Sequence, residues 1–458
     1  MLTAWWEEDT RDTQADGKVA SEDISVPLSK LETERGNIVE YLAALINIRG
    51  VLTGGTEVGI EVNRPELISN SDILGAVQEV LKSDFGHTAQ YATFGNTISF
   101  KEGRLEAYQP GAVGIQGYKY SDIDYNKGEA VGFDIGGTNL KICFIRNGEK
   151  LLTETIPLSA IDVSLGDFIE KKFLEIGQRF NFDYTGKPVY VTIPGPVTPE
   201  GNIVVITNLE KERPGTTASL ELLKSRYAKV RFQNDANSSA FYQMVSGNLK
   251  GNVILNTLGT GLGLGIIIDG RLIPGPQEGH IKIKFNKDAF LHEGFNMRGD
   301  LEAYASSYFV KNRTAQLARE NNVELPVKEE DITPKMVGEW LSMSETDALG
   351  KIARQVYKEF GNNLAALYLE ICRVTGIKEW AVIFTGGITG GSTSQTIIDG
   401  VKEITNKYPE FKINVRVGED AALSGALASA YLSIQEQYLD AISAPQRGLH
   451  EIIPATSL

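Results

Sequence analysis

The sequence predicts an α/β protein, because strand and helix patterns alternate along most of the chain and one strand–turn–strand unit occurs twice. In the first unit an apolar run, residues 130–133, ends at Asp134, and a Gly-Gly-Thr turn follows at 136–138. A second apolar run then leads to Asn147-Gly148, a strong short hairpin signal. The glycine turn therefore joins one strand to another.

The same unit returns further along the chain. Residues 252–257 form an apolar run, a glycine-rich turn covers 258–265, and Asp269-Gly270 marks the next turn. From the end of the first strand to the closing turn there are 13 residues in the first unit and 12 in the second. Two units of matching length indicate an internal duplication, and strands alternating with helices fit a sheet covered on both faces.

The glycine turn of each unit is a candidate phosphate-binding site. A dinucleotide-binding fingerprint or a P-loop would instead open a helix after its glycines. Gly136 and Gly137 remove side chains where backbone N–H groups would approach a phosphate, and Asp134 beside them can hold a magnesium ion through water. Hairpin chemistry alone also explains such glycines, but the repetition of the unit favours phosphate binding.

The hydrophobic pattern also gives the order of the other elements. Helices are expected at 165–180, 236–245, 301–321, 334–342, 347–375 and 420–432, and strands at 189–193, 230–233 and 381–384. Residues 1–128 differ from the rest and form an acidic α+β segment, with predicted helices at 37–47 and 71–81, a hairpin at 97–108 and disorder over 1–24. The predicted division is 1–128, 129–247 and 248–434, with a tail at 435–458.

Charge and cysteine content exclude several classes of protein. The net charge of −14 over 458 residues argues against an electrostatic grip on nucleic acid or on an anionic membrane. No apolar run approaches the roughly 18–20 residues of a membrane span, and the first residues lack the pattern of a signal peptide. The two cysteines, Cys143 and Cys372, lie in apolar segments, which fits buried thiols in a reducing compartment. The cytoplasm is the expected location.

An ordered set of motifs resembles a known family. The Asp-Ile-Gly-Gly-Thr run resembles the first phosphate motif of the actin-like ATPase (ribonuclease H-like) fold, and within that fold it is most similar to the ROK family of sugar kinases and sugar-responsive repressors. The likeness covers about residues 130 to 432. Its further motifs, in order, are 194–196, 234–237, 259–263, 278–280, 301–306, 385–387 and 420–426.

The resemblance implies an ATP-dependent kinase that phosphorylates the primary hydroxyl of a hexose or amino-hexose, with magnesium as cofactor and a homodimer as the assembly. It makes Asp235 the catalytic base, although a helix N-cap is the alternative at that strand–helix junction. It places the ATP phosphates at Asp134, Gly136, Gly137, Thr138, Gly259, Thr260 and Gly261. Gly386 and Gly387 would lie near the adenosine, or would only allow close packing at a helix start.

The sugar ligands implied by the resemblance are Asn208, Asn234, Glu278, His280 and Glu302. One of them departs from the family pattern, because the family spaces its glutamate three residues before the histidine and Glu278 is only two before His280. Satisfied buried or solvated side chains are the alternative for these positions. The sequence does not name the sugar.

Two other functions remain open. ROK repressors carry an N-terminal winged helix-turn-helix, whereas residues 1–128 are acidic and show no basic recognition helix. A degenerate sugar-binding protein is the second alternative, and the departures around Glu278 and in the following loop favour it. The intact Asp134, Asp235 and glycine turns argue against it.

The structural zinc common in the family is not expected in this chain. Glu293, Phe295 and Asp300 stand where the family has its three cysteines, and thiolates make such a site stable and zinc-selective. Elemental analysis of the purified protein should therefore find far less than one zinc per chain. A stoichiometric zinc content would show that the carboxylates at 293 and 300 act as ligands with His280 or His292.

Overall fold

The computed structural model describes the C-terminal two thirds of the chain and four short N-terminal segments. The described residues are 2–7, 19–24, 57–62, 99–102 and 123–443, without 196, 198–200, 204–205, 228, 248, 250, 269–270, 273–282, 285–288, 293–296 and 419–422, plus five single residues between 39 and 78.

The N-terminal segments form a four-stranded sheet. Its strands are β1 (Leu2–Glu7), β2 (Val19–Ile24), β3 (Glu57–Val62) and β4 (Ser99–Glu102), in the order β2-β1-β3-β4. The pairing of β1 with β2 differs from the disorder that composition predicts over 1–24. Strand β4 lies in the predicted hairpin but pairs in parallel with β3, and the second hairpin strand lies outside the described residues.

Two five-stranded sheets form the rest of the fold. The first contains β5 (Glu129–Ile135), β6 (Asn139–Arg146), β7 (Glu149–Pro157), β8 (Val189–Ile193) and β9 (Val230–Asn234). The strands that follow are β10 (Val253–Leu258), β11 (Leu262–Ile268), β12 (Arg271–Leu272), a short hairpin of β13 (Leu291–His292) and β14 (Met297–Arg298), β15 (Glu379–Thr385) and β16 (Lys412–Val417).

The two sheets have the same topology. The first has the order β7-β6-β5-β8-β9 and the second β12-β11-β10-β15-β16. In each, the first three strands form an antiparallel meander, and the last two are parallel to the central strand. The predicted duplication is confirmed.

Nine helices lie among the described residues from 123 onward. They are α1 (Leu165–Phe180), α2 (Thr207–Glu212), α3 (Thr216–Arg226), α4 (Asp235–Ser246), α5 (Ser307–Glu320), α6 (Pro334–Trp340), α7 (Ala348–Thr375), α8 (Ser392–Thr405) and α9 (Ser424–Ser443). None of these described helices is long and apolar enough to cross a membrane.

Local sequence explains where the predicted helices begin and end. The Ser164 hydroxyl accepts a hydrogen bond from the Asp167 N–H and caps α1, and Asn181 ends it in the left-handed conformation, φ 48°. The sequence missed α2, α3, α8 and β16. Helix α8 starts after Gly391, which has no side chain to cap it, and α3 buries two leucines, Leu220 and Leu223, without a continuous apolar stripe.

The last helix joins the two halves. Helix α9 lies in the predicted second half, yet it packs on the first sheet, where a Cβ at Gly132 of β5 would come within 2.1 Å of the Ala426 carbonyl oxygen. Conversely, α4 of the first half packs on the second sheet, where a Cβ at Gly265 of β11 would lie 2.6 Å from the Ala236 carbonyl oxygen. The predicted boundary at 434 therefore falls inside a helix that belongs, by its contacts, to the first sheet.

Gly132→Ala tests this contact. The added methyl group meets backbone atoms of α9, which cannot rotate away, so we expect a loss of unfolding free energy at the upper end of the usual ~1–3 kcal/mol for overpacking. Chemical denaturation measures it. Gly390→Ala is the matched control, because its φ is −78° and nothing lies within 4 Å of the added Cβ. Equal stability of the two variants would contradict the close approach of α9 to β5.

Candidate active site

The first glycine turn is tight and open to solvent. The Gly136 N–H donates to the Asn139 carbonyl oxygen at 2.9 Å, which closes the turn between β5 and β6. Gly137 and Thr138 are exposed, and nothing lies within 4 Å of the position where Gly137 would carry a Cβ. The backbone of this turn is therefore accessible to an anion.

The second glycine turn, at 259–261, is hydrogen-bonded to residues just before and at the start of α5. The Ser307 N–H and hydroxyl both donate to the Gly259 carbonyl oxygen, at 3.0 and 2.8 Å. Glu302 Oε2 accepts the Leu262 N–H at 2.7 Å, and a Cβ at Gly261 would lie 2.6 Å from that oxygen. A side chain at 261 would therefore displace the Glu302 carboxylate from this contact.

Asp134 lies at the end of β5 in a buried position. Lys141 Nζ donates to its Oδ2 at 3.3 Å, and Gly425 of α9 lies so close that a Cβ there would be 2.5 Å from the Asp134 carboxyl carbon. Burial raises the pKa of Asp134 above its ordinary value, and the charge and hydrogen bond of Lys141 oppose that shift. Lys141 thus favours the charged form of this carboxylate.

Asn234, not Asp235, caps helix α4. Its Oδ1 accepts the N–H groups of Ala236 and Asn237 at 2.9 and 3.2 Å, and its Nδ2 donates to the Gly195 carbonyl oxygen at 3.1 Å. Asp235 is the first residue of the helix, and its Oδ1 also accepts the Ala236 N–H, at 2.8 Å. The sequence left an N-cap role open as the alternative for Asp235, and the structure gives that role mainly to Asn234.

The Asp235 carboxylate has an environment suited to a base. Desolvation raises its pKa to about 6, hydrogen bonding from Ala236 opposes the rise, and the nearby Asp134 carboxylate adds to it. The side chain is nevertheless exposed. The carboxylate therefore lies in a cleft, surrounded by protein and still reached by water, which keeps part of the solvation of its charged form.

These groups meet at a cavity of ≈ 180 Å³. Asp134, Gly136, Asp235 and Gly386, four of the predicted site residues, line it. This size is well below the ~300–1,000 Å³ of a whole ligand pocket, and the cavity is the space between the first glycine turn and the two carboxylates. The other lining residues are Ile135, Lys141, Thr192, Ser239, Gln243, Thr257, Thr385, Ser424 and Gly425.

The remaining predicted site residues are divided into two groups. Gly137, Thr138, Gly259, Thr260, Gly261, Gly387, Asn234 and Glu302 do not line this cavity. Glu278 and His280 lie outside the described residues, and so does the side chain of Asn208.

Sequence reasoning missed Lys141 and the two threonines of the second sheet. Lys141 stands directly opposite Asp134 in the β5–β6 register, so counting outward from the glycine turn would have found it. Thr257 and Thr385 are paired neighbours at the ends of β10 and β15, and the carboxyl ends of parallel strands are where sites form.

The donor atoms around the cavity suit magnesium. Carboxylate and hydroxyl oxygens are the ligands it prefers, and it binds through few protein groups while retaining several waters. Among the described residues no three His, Cys, Asp or Glu side chains cluster closely enough to enclose a metal ion. The fit is therefore to an ion held by Asp134, water and a bound phosphate.

Comparison with known proteins gives three related findings. The chain is 26% identical over 191 residues to a glucokinase of Thermotoga maritima, which covers 40% of this chain and 58% of the glucokinase. It is 25% identical over 317 residues to a beta-glucoside kinase of Listeria monocytogenes, covering 67% of this chain and 97% of that protein. The crystal structure of a ROK hexokinase from Thermus thermophilus superposes with a TM-score of 0.51 at 16% identity, over 68% of this chain and 100% of the hexokinase.

The structural likeness shows the predicted actin-like ATPase fold, with its duplicated sheets and the glycine turns at corresponding places. The ROK family model matches residues 130–436, about two thirds of the chain and nearly the same span as the motif set. The chain belongs to the ROK family.

Proposed function

We propose that this protein is an ATP-dependent sugar kinase that phosphorylates the primary hydroxyl of a hexose or amino-hexose. The observation that carries the proposal is the single cavity onto which the carboxylate of Asp235, the Asp134 carboxylate and the Gly136 turn all open. Phosphoryl transfer needs a base and a phosphate-binding turn at one site. The names of the relatives, a glucokinase and a beta-glucoside kinase, support the same class of reaction.

In this proposal Asp235 orients the sugar hydroxyl and accepts its proton as the oxygen attacks the terminal phosphorus. The N–H groups of the turn at 136–138 and the turn at 259–261 bind the phosphates from the two halves of the molecule. Asp134 holds a magnesium ion, which when bound neutralises phosphate charge. Gly386, with φ 100° and its Cα against the Leu258 backbone, brings its peptide close to the nucleotide without a side chain in the way.

The sugar is held, we propose, by Asn208, Asn234, Glu278, His280 and Glu302. Asn234 uses its carbonyl oxygen for the α4 cap, and its amide group donates to the Gly195 carbonyl oxygen and interacts with the Asp235 carboxylate, which sets it beside the proposed base. Glu302 contacts the second glycine turn through Leu262 and so links sugar binding to the phosphate site. A homodimeric assembly and a cytoplasmic location belong to the same proposal.

A steady-state assay tests the function. Purified protein is incubated with Mg-ATP and a panel of hexoses, N-acetylhexosamines and β-glucosides, and ADP release is followed. Sugar-dependent ADP release supports the kinase, and the preferred sugar names the substrate. Sugar binding by calorimetry without turnover on any of them would favour the degenerate sugar-binding protein instead.

Asp235→Asn should fold and bind sugar but lose at least about 10²-fold in kcat, the usual range for a positioned general base. The substitution removes the proton acceptor while it keeps the shape. Coupled-enzyme kinetics and calorimetry of sugar binding measure the two effects. Asp162→Asn, at an exposed position, serves as control and should match the wild type. Turnover near that of the control would remove Asp235 from the role.

The pH dependence follows from the raised pKa of Asp235. A base works only in its deprotonated form, so kcat/KM should be highest above the pKa of about 6 and fall as pH decreases through it. The profile of kcat/KM with saturating Mg-ATP measures this limb. An acid limb that appears only near pH 4, the ordinary value for a carboxyl group, would contradict the environment we describe for Asp235.

A further inference from the structure

A second cavity lies between helices α5 and α7 and the chain that leads into α5. Its volume is ≈ 380 Å³, within the ~300–1,000 Å³ of small-molecule pockets and larger than the first cavity. Among the described residues, three aromatic, three charged and three amide side chains line it, and none of them lines the first cavity. The second cavity therefore has the size and the mixed lining of a ligand site, and the proposed function does not use it.

A one-turn 3₁₀ helix, Glu302–Tyr304, connects the two sites. Glu302 contacts the second glycine turn through the Leu262 N–H. Tyr304 lines the second cavity instead, and its carbonyl oxygen accepts a hydrogen bond from Asn363 Nδ2 of α7 at 3.1 Å. The two sites are thus neighbours that use different side chains.

Aromatic rings form one wall of the second cavity. Phe290 and Tyr304 stack with their ring centroids 5.1 Å apart, and Phe309 packs edge-on against Phe290 at 6.1 Å. The Phe290 N–H donates to the Tyr304 hydroxyl at 2.9 Å, which fixes the two rings relative to each other. The exposed Lys284 places its Nζ 5.9 Å from the Tyr304 ring centroid. This wall is an ordered apolar surface with an ammonium group at its edge.

The opposite wall is polar and comes from α5 and α7. Arg313 Nε and Nη2 donate to the two carboxylate oxygens of Glu359 at 2.6 and 2.9 Å. Burial raises the pKa of Glu359, but the hydrogen bonds and charge of Arg313 and the charge of Lys284 hold it below its ordinary value. One helical turn further along α7, the buried Oδ1 of Asn362 accepts no hydrogen bond from the described residues. The polar wall therefore offers a charged carboxylate and an amide oxygen as acceptors.

This set of groups suits a neutral ligand that is rich in hydroxyl groups. The guanidinium fork that would bind a phosphate or carboxylate ligand is already occupied by Glu359. Acceptors such as Glu359 and Asn362 need donors, and a buried acceptor without one is unfavourable. A small rotation of the Asn362 amide toward the cavity lets a ligand hydroxyl satisfy it. A sugar ring carries such hydroxyls at its edge and an apolar C–H face that can cover an aromatic wall.

We propose that this cavity is a second carbohydrate site, which binds one neutral sugar ring. The apolar face of the ring lies on Phe290 and Tyr304. Its hydroxyl groups donate to Asn362 Oδ1 and to the Glu359 carboxylate, and Lys284 donates to a hydroxyl oxygen at the rim. The inference goes beyond the proposed function, because the sugar bound here is not the one that is phosphorylated.

Asn362→Leu tests the site, because leucine keeps the approximate size of the side chain and removes the acceptor. Equilibrium dialysis with labelled glucose, N-acetylglucosamine and methyl β-glucoside, in the absence of nucleotide, measures the number of sugars bound per chain and their Kd. We expect Asn362→Leu to weaken one class of sites about tenfold, as when one hydrogen bond to a ligand is lost. Any sugar bound in the candidate active site should keep its Kd within twofold.

Two further variants separate a ligand contact from a structural role. Lys284→Met, at an exposed position, should weaken the same class of sites and no other. Asn312→Leu, exposed on α5, is the matched control and should bind sugar as the wild type does. Asn362→Leu should melt no lower than the wild type, because it removes a buried acceptor that has no donor. A lowered melting temperature with unchanged sugar binding would make Asn362 a structural residue and overturn the inference.

The comparison with Asn362→Leu keeps this inference apart from the kinase proposal. If the wild type phosphorylates no sugar and Asn362→Leu still loses one class of sugar sites, the kinase proposal fails and the second site stands. If the wild type phosphorylates a sugar and both proteins bind the same number of sugars with the same Kd, the second site is wrong. AMP is dialysed in parallel, and a loss of AMP binding in Asn362→Leu with sugar binding unchanged would also overturn the inference.

Discussion

The candidate site depends on the direct contact of helix α9 with strand β5. Gly132 lets the helix backbone approach the strand, with the position of its missing Cβ 2.1 Å from the Ala426 carbonyl oxygen. The Ser429 hydroxyl of α9 donates to the Phe133 carbonyl oxygen at 3.0 Å. The Thr192 hydroxyl of β8 lies 2.8 Å from the Ser429 hydroxyl. One turn earlier in the helix, Gly425 faces the Asp134 carboxylate. Helix α9 thus fixes the position of β5 and, with it, the position of Asp134 in the cavity.

A reciprocal contact joins the other half. Helix α4, which begins at Asp235, packs on β11 through Gly265. Asp134 thus stands on the first sheet and Asp235 at the start of a helix that packs on the second, from which Thr257, Thr385 and Gly386 also reach the cavity. The cavity is therefore a cleft between the two sheets. Closing such a cleft on a substrate also excludes water from the transferred group.

Local signals made the duplication and four of the thirteen cavity-lining residues predictable. The Asn147-Gly148 pair predicts the hairpin, because tight hairpin turns need two residues that tolerate positive φ. In the structure their φ values are 50° and 80°. Asp134, Gly136 and Asp235 stand at strand ends that hydrophobic runs reveal. Lys141 required the strand register, and Gly425 required knowledge that a helix almost 300 residues away lies on β5. Contacts of that separation leave no periodic trace in the sequence.

The electrostatics of the cavity explain why its residues form a set. Two carboxylates in one cavity repel each other and would repel an anionic ligand. Burial raises the pKa of both Asp134 and Asp235, and the neighbouring Asp134 charge raises that of Asp235 further. Asp134 is partly compensated by Lys141, whereas Asp235 remains exposed to the cleft. The charge of Lys141 opposes the rise of the Asp134 pKa, whereas hydrogen bonds from Ala236 and Asn234 oppose that of Asp235. The two acids thus share the effect of burial but differ in the groups that stabilise their charged forms.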